Sequence, residues 1–150
     1  MFMIYLVQHG KAFDERVDPE RSLTPEGIEE SRRVATHLAK VGVKVAVVYH
    51  SGKKRARQTA EIFAQVLGAR AEEKDGLNPN DDPAIWAERL STLDEVMIVG
   101  HLPHLSRLAS LLVVGNTEVP IVEFRYSGVV ALTRTPKWVV KWLLTPDILP

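Results

Sequence analysis

An α/β fold is predicted by this sequence: a three-layer α/β/α sandwich around a mainly parallel central sheet, closed at one edge by a C-terminal antiparallel hairpin. Two observations carry the prediction. Short β-branched, apolar runs alternate with longer stretches of helical periodicity, the pattern of a parallel sheet covered by helices. The last two apolar runs are separated only by Pro136-Lys137 and its flanks, too short for a crossover helix, so they form a hairpin.

The elements follow in order. Phe2 to Val7 is continuously apolar rather than alternating, as in a strand buried on both faces, and it stops at Gln8-His9-Gly10. Thr24-Pro25 supplies an N-cap and a first-turn proline, and Ile28, Val34, Ala35, Leu38 and Val41 form one apolar stripe up to Gly42. Val43 to Tyr49 predicts a second strand. Ser51 is expected to open a helix in which Ala56, Ala60, Phe63 and Leu67 recur before a Gly68 C-cap. Ala69 to Glu73 suggests a short strand, Gly76 to Asp82 a loop, and Asp82-Pro83 the cap of a helix carrying Trp86, Leu90 and Leu93. Val96 to Val99 is a further strand; Leu105, Leu108, Ala109 and Leu112 then mark a helix ending near Gly115. Val129 to Thr133 and Val139 to Leu144 form the hairpin.

Composition narrows the classes of function. The 150 residues suit one domain, residues 1–150, able to bury its own core. Lys plus Arg equals Asp plus Glu at 19 each, so no global positive field exists to hold nucleic acid or an anionic membrane, and any anion site is local. With no cysteine there is neither a disulfide framework nor a thiolate nucleophile. Met1 to Val7 is too short to span a membrane and has no signal-peptide flanks, which makes a cytoplasmic location the expectation. No set of histidines and carboxylates has metal-ligand spacing, and neither a metal nor a cofactor is expected.

Ligands of such sheets lie beyond the carboxyl ends of the strands. His9, Ser51, Arg55 and His101 all fall at or just after predicted strand ends, so three separate turns can bring them to one crevice. A glycine beside each histidine, Gly10 after His9 and Gly100 before His101, allows close approach to the backbone. Arg55 lies in the first turns of its helix, where free N–H groups and the dipole already favour an anion, and guanidinium adds a fork matched to phosphate. Its neighbours Lys53, Lys54 and Arg57 read as solvated. His37, His50 and His104 are expected at the surface or at a strand end, and Trp86, Trp138 and Trp142 in packing.

Four ordered segments together resemble the histidine phosphatase superfamily, with its phosphoglycerate mutase-like fold, and within it the short SixA-type phosphohistidine phosphatases. They are Gln8-His9-Gly10, Arg21 to Gly27 (Arg-Ser-Leu-Thr-Pro-Glu-Gly), Ser51 with Arg55 to Thr59, and Gly100 to Pro103. The resemblance implies that His9 is the nucleophile of a phosphohistidine intermediate. It also implies that Arg55, His101 and Arg21 stabilise the phosphoryl oxygens, with Gln8, Gly10 and Ser51 lining the phosphate site.

Two departures stand out. Gln8 occupies the place where the family usually has arginine, and a neutral donor contributes about 0.5–1.5 kcal/mol where a charged one contributes about 1.5–3. Where many relatives carry a glutamate as general acid, this chain reads Lys74-Asp75-Gly76-Leu77-Asn78-Pro79; Asp75, Asp81 and Asp82 are near, Asp82 is better explained as a cap, and the acid is unassigned. An imidazole leaving group, with a pKa of about 6.5, needs an acid less than an alkoxide does. The resemblance therefore implies a phosphohydrolase that needs no metal and acts on phosphohistidine of a protein such as a histidine phosphotransfer domain. The alternatives are a phosphomonoesterase for a small phosphorylated substrate, disfavoured by the short Lys11 to Glu20 segment, and a non-catalytic phosphate or phosphoprotein binding module.

Overall fold

The computed structural model describes residues 2–150. In chain order it runs β1 (Phe2–Gln8), α1 (Pro25–Lys40), β2 (Val47–His50), α2 (Lys54–Leu67), β3 (Arg70–Glu73), α3 (Pro83–Leu90), β4 (Val96–Gly100), α4 (His104–Val114), β5 (Val129–Arg134) and β6 (Trp138–Leu144), with a 3-10 turn at Pro146–Ile148. The strands form one sheet in the order β3-β2-β4-β1-β5-β6. β1, β2, β3 and β4 are mutually parallel, whereas β5 runs antiparallel to β1 and β6 antiparallel to β5, which is the expected edge hairpin.

The continuous apolar runs divide between two cores because successive strand side chains point to opposite faces. Tyr5 and Val7 of β1, Met97 and Val99 of β4 and Val129 and Ala131 of β5 pack with Val34 and Leu38 of α1 and Ala60 and Phe63 of α2. Their neighbours Ile4, Leu6, Val96, Ile98, Val130 and Leu132 pack on the other face with Trp86 and Leu90 of α3 and Leu105 and Leu108 of α4. This is the three-layer sandwich. Each fully buried Leu, Ile or Phe contributes on the order of 1.5–3 kcal/mol, so β1, buried on both sides, is among the costliest strands to disturb.

The helix starts follow local chemistry. Thr24 accepts the Gly27 N–H at 3.0 Å and Asp82 the Ala84 N–H at 2.9 Å, each followed by proline at the first helical position. Gly68 and Gly115 close α2 and α4 with φ of 70° and 71°.

Three boundaries differ from the sequence expectation by more than one residue. α3 stops at Leu90 and leaves Leu93 beyond it, in a turn closed by Leu93 N–H on Leu90 O at 3.2 Å. β2 is Val47–His50 rather than Val43 to Tyr49, because Val43 N–H bonds back to Leu38 O at the end of α1 and Val45 is buried as a packing residue without pairing. Val43 and Val45 are apolar because they pack on the core, which a hydrophobicity pattern does not distinguish from pairing. Ser51 does not open α2. Lys53 occupies the cap position with no side-chain bond, and the Ser51 hydroxyl is engaged elsewhere.

Candidate active site

The ends of β2, β4 and β1 lie side by side, since Gln8 is in register with Gly100 and His50 with Val99. The residues that follow them are thereby brought together. His9 N–H bonds Gly100 O at 3.1 Å, and the His9 and His101 rings lie with centroids 5.1 Å apart.

His9 is 5% exposed, and its Nδ1 sits 2.8 Å from the carbonyl oxygen of Gly10. A carbonyl only accepts, so Nδ1 carries the ring proton and Nε2 keeps its lone pair. Burial is the main cause that lowers the His9 pKa to about 4; the Gly10 carbonyl opposes this, and Arg55 and Arg21 lower it further. The imidazole is therefore neutral at neutral pH.

Gly10 is fixed from several sides. Its N–H donates to Thr59 Oγ1 at 2.9 Å, and that hydroxyl donates to Arg55 O at 2.8 Å, tying the β1 turn to the start of α2. A Cβ at Gly10 would lie 3.0 Å from Ser31 Oγ and 3.1 Å from both Gly27 O and Ser127 Oγ. Close approach is what requires glycine here.

Arg55 and Arg21 act on each other and on His9. Burial first, then Arg21, lowers the Arg55 pKa, and Arg55 Nε has no hydrogen-bond partner among the described residues. Arg21 has a left-handed φ of 53°, and its Nε donates to Phe13 O at 3.1 Å. Its loop is pinned by Asp18, whose carboxylate takes the N–H and hydroxyl of Ser22, and by Gln58 Oε1, which accepts the Leu23 N–H at 2.8 Å.

His101 is 2% exposed; its Nε2 lies 2.7 Å from Ser51 Oγ, and its Nδ1 has no partner among the described residues. Burial, followed by the charges of His9 and Arg55, pushes its pKa down to about 3. Gln8 is buried, with its side-chain oxygen unpartnered among the described residues, while its main-chain oxygen accepts the Ser127 N–H at 2.9 Å. A neutral imidazole with a free Nε2, two unneutralised guanidiniums and a second neutral imidazole form a set suited to a small anion with several oxygens.

His9, His101, Ser51, Arg55, Arg21, Gln8 and Gly10 thus share one neighbourhood. Lys54 is paired with Glu20 at 2.8 Å. His104 corrects the expectation of a surface residue: it is wholly buried at the start of α4, and both ring nitrogens lack partners among the described residues. Position three residues after His101 turns it into the interior along with Leu105 and Leu108, a placement that helical periodicity around it already favoured. The aspartates near the missing acid are engaged: Asp75 pairs with Arg89 at 3.1 Å, Asp81 accepts the Asn78 N–H, and Asp82 caps α3.

Sequence reasoning missed Tyr126, whose ring centroid is 5.5 Å from that of His9. It also missed the buried pair Ser31 and Ser127, whose hydroxyls are 2.8 Å apart. Among the described residues, no group of three or more His, Cys, Asp or Glu could hold a metal ion, and no helix is long and apolar enough to cross a membrane.

Residues 4–81 match the family model of the histidine phosphatase superfamily (branch 1). An uncharacterised protein of Picosynechococcus sp. is 32% identical over 123 residues, covering 76% of this chain and 74% of its own. The phosphohistidine phosphatase SixA of Escherichia coli is 28% identical over 151 residues, covering 95% and 93%. A structure of the protein histidine phosphatase SixA with tungstate superposes with a TM-score of 0.87 at 28% identity, over 99% of this chain and 100% of that one. These likenesses support phosphatase activity, and the chain belongs to the histidine phosphatase superfamily, in its SixA type.

Proposed function

We propose that this protein is a cytoplasmic phosphohydrolase, acting as one domain over residues 1–150, that removes the phosphoryl group from phosphohistidine on a protein through a phospho-His9 intermediate and without a metal. The observation that carries the reading is the state of His9: Nδ1 is held as N–H by Gly10 O, and burial keeps the ring neutral. Nε2 is then the nucleophile, and attack on phosphorus expels the substrate imidazole. Arg55, Arg21 and His101 stabilise the charge on the transferring group, and water afterwards hydrolyses the phosphohistidine. The relative from E. coli is a phosphohistidine phosphatase by name, which supports the substrate class.

A phosphohistidine rather than a simple phosphate ester is also favoured by the engagement of every nearby aspartate, since a protonated imidazole leaves without a strong acid. The unpartnered, neutral Gln8 favours the alternative of a phosphoprotein-binding module without turnover. Specificity constants for a purified phosphohistidine protein, a phosphosugar and an aryl phosphate test the proposal. A phosphohistidine protein should be turned over at least tenfold more efficiently than the phosphosugar; preference for the phosphosugar, or no turnover of any, would overturn it.

A further inference from the structure

Tyr126 stands apart from the rest of the site. His9 and His101 are nearly closed off, yet Tyr126 beside them is 38% exposed. Its hydroxyl makes no hydrogen bond among the described residues, and its ring centroid lies 5.5 Å from that of His9 at a tilt of 43°. β4 and β5 flank β1 in the sheet, so His101, just after β4, and Tyr126, just before β5, approach His9 from its two neighbouring strands.

The backbone holds this ring in place. Gln8 and Tyr126 form a bridge, Ser127 N–H donates to Gln8 O at 2.9 Å, and Gly128 N–H closes the turn onto Arg125 O at 2.9 Å. Ser127 adopts φ of 62°, an unfavourable conformation for a residue with a side chain, and its buried hydroxyl is anchored on Ser31. A turn so constrained presents the following strand and the preceding aromatic ring in one arrangement.

We infer that the exposed face of Tyr126 is a platform on which a planar ring attached directly to phosphorus stacks, while the phosphoryl group faces His9 and Arg55. The inference rests on the phosphoryl-site reading and adds to it a preference for the shape of the leaving group. Aromatic faces attract one another beyond the area they bury, by an amount equivalent to about twofold to tenfold in affinity. N-phosphoimidazole groups carry such a ring on phosphorus itself, and aryl phosphates carry a flat ring one oxygen further away; alkyl phosphates and acyl phosphates of small aliphatic acids have no ring to stack.

Phenylphosphonate and methylphosphonate, whose P–C bonds are not hydrolysed, isolate this preference from turnover. Their affinities are compared by calorimetry for the wild type, Tyr126→Phe, Tyr126→Leu and Tyr126→Met. The expected result is that wild type and Tyr126→Phe bind phenylphosphonate about threefold to tenfold more tightly than methylphosphonate. Tyr126→Leu and Tyr126→Met should lose that preference while methylphosphonate affinity stays within twofold. An absent preference in wild type, its persistence in the aliphatic variants, its loss in Tyr126→Phe, or an equal loss of both ligands would each overturn the inference. Preference without any hydrolysis of a phosphohistidine protein would sink the catalytic reading alone, and hydrolysis without preference would sink this inference alone.

Discussion

Ser51 Oγ and His101 Nε2 lie 2.7 Å apart, joining the turn after β2 to the turn after β4 across two neighbouring strands. His101 Nδ1 has no partner among the described residues, so this is the hydrogen bond that orients the ring. Removing a neutral hydrogen bond of this kind costs about 1 kcal/mol, equivalent to roughly fivefold in rate. Ser51→Ala is expected to lower kcat by about that factor and, because the same bond joins two turns of the folded chain, to lower the thermal midpoint by about 2–4 °C. Steady-state kinetics beside a melting curve would check it.

Protonation of the two histidines sets a pH dependence with a definite sign. Folding lowers the pKa of His9 to about 4 and of His101 to about 3, against about 6.5 in the unfolded chain. Between these values the unfolded state binds more protons, so the two neutral rings cost nothing above pH ~6.5, and stability declines as pH falls from there toward 4 and then 3. Denaturant midpoints in His9→Gln should fall less steeply below pH 6.5 than those of wild type. The acid limb of kcat/KM, if set by free His9, should lie near pH 4, and Arg55→Gln should move it upward by removing a cation that opposes protonation.

Gly27 sits inside α1, where glycine costs about 0.5–1 kcal/mol relative to alanine. Its function is close approach: an added Cβ would be 2.2 Å from Lys11 O, which also accepts the Thr24 N–H that starts the helix. Gly27→Ala must displace that backbone, and we expect a loss of at least about 2 kcal/mol despite the better helix propensity, read from urea unfolding.

Gln8 is where charge is missing. If turnover is limited by the neutral donor, Gln8→Arg should raise kcat by about tenfold, the difference of about 1.4 kcal/mol between a neutral and a charged contact. Single-turnover kinetics would measure it. No gain, in a variant that still folds, would favour the binding-module alternative.

Much of this was legible in the sequence. His9, Ser51 and His101 could be found because each follows a parallel strand, and every such strand ends on the same side of the sheet. That filter could not find Tyr126. β5 runs antiparallel to β1, so the site receives the residues before it rather than after it, and strand direction is not written in a hydrophobic run. Arg21 was reached through the family resemblance alone, since its position depends on a loop whose turns are closed by Asp18 and Gln58. The polar character of His104 points to the surface, whereas the apolar face of α4 that it shares with Leu105 and Leu108 carries it into the interior.

The central claim concerns Nε2 of His9, left unprotonated by the Gly10 carbonyl. Its direct test is to mix the protein with a small phosphodonor, quench in alkali and map the phosphate by mass spectrometry. The account predicts acid-labile, alkali-stable phosphate on His9, accumulating further in His101→Ala. Phosphate on another residue, or none on His9 in either protein while hydrolysis proceeds, would contradict it.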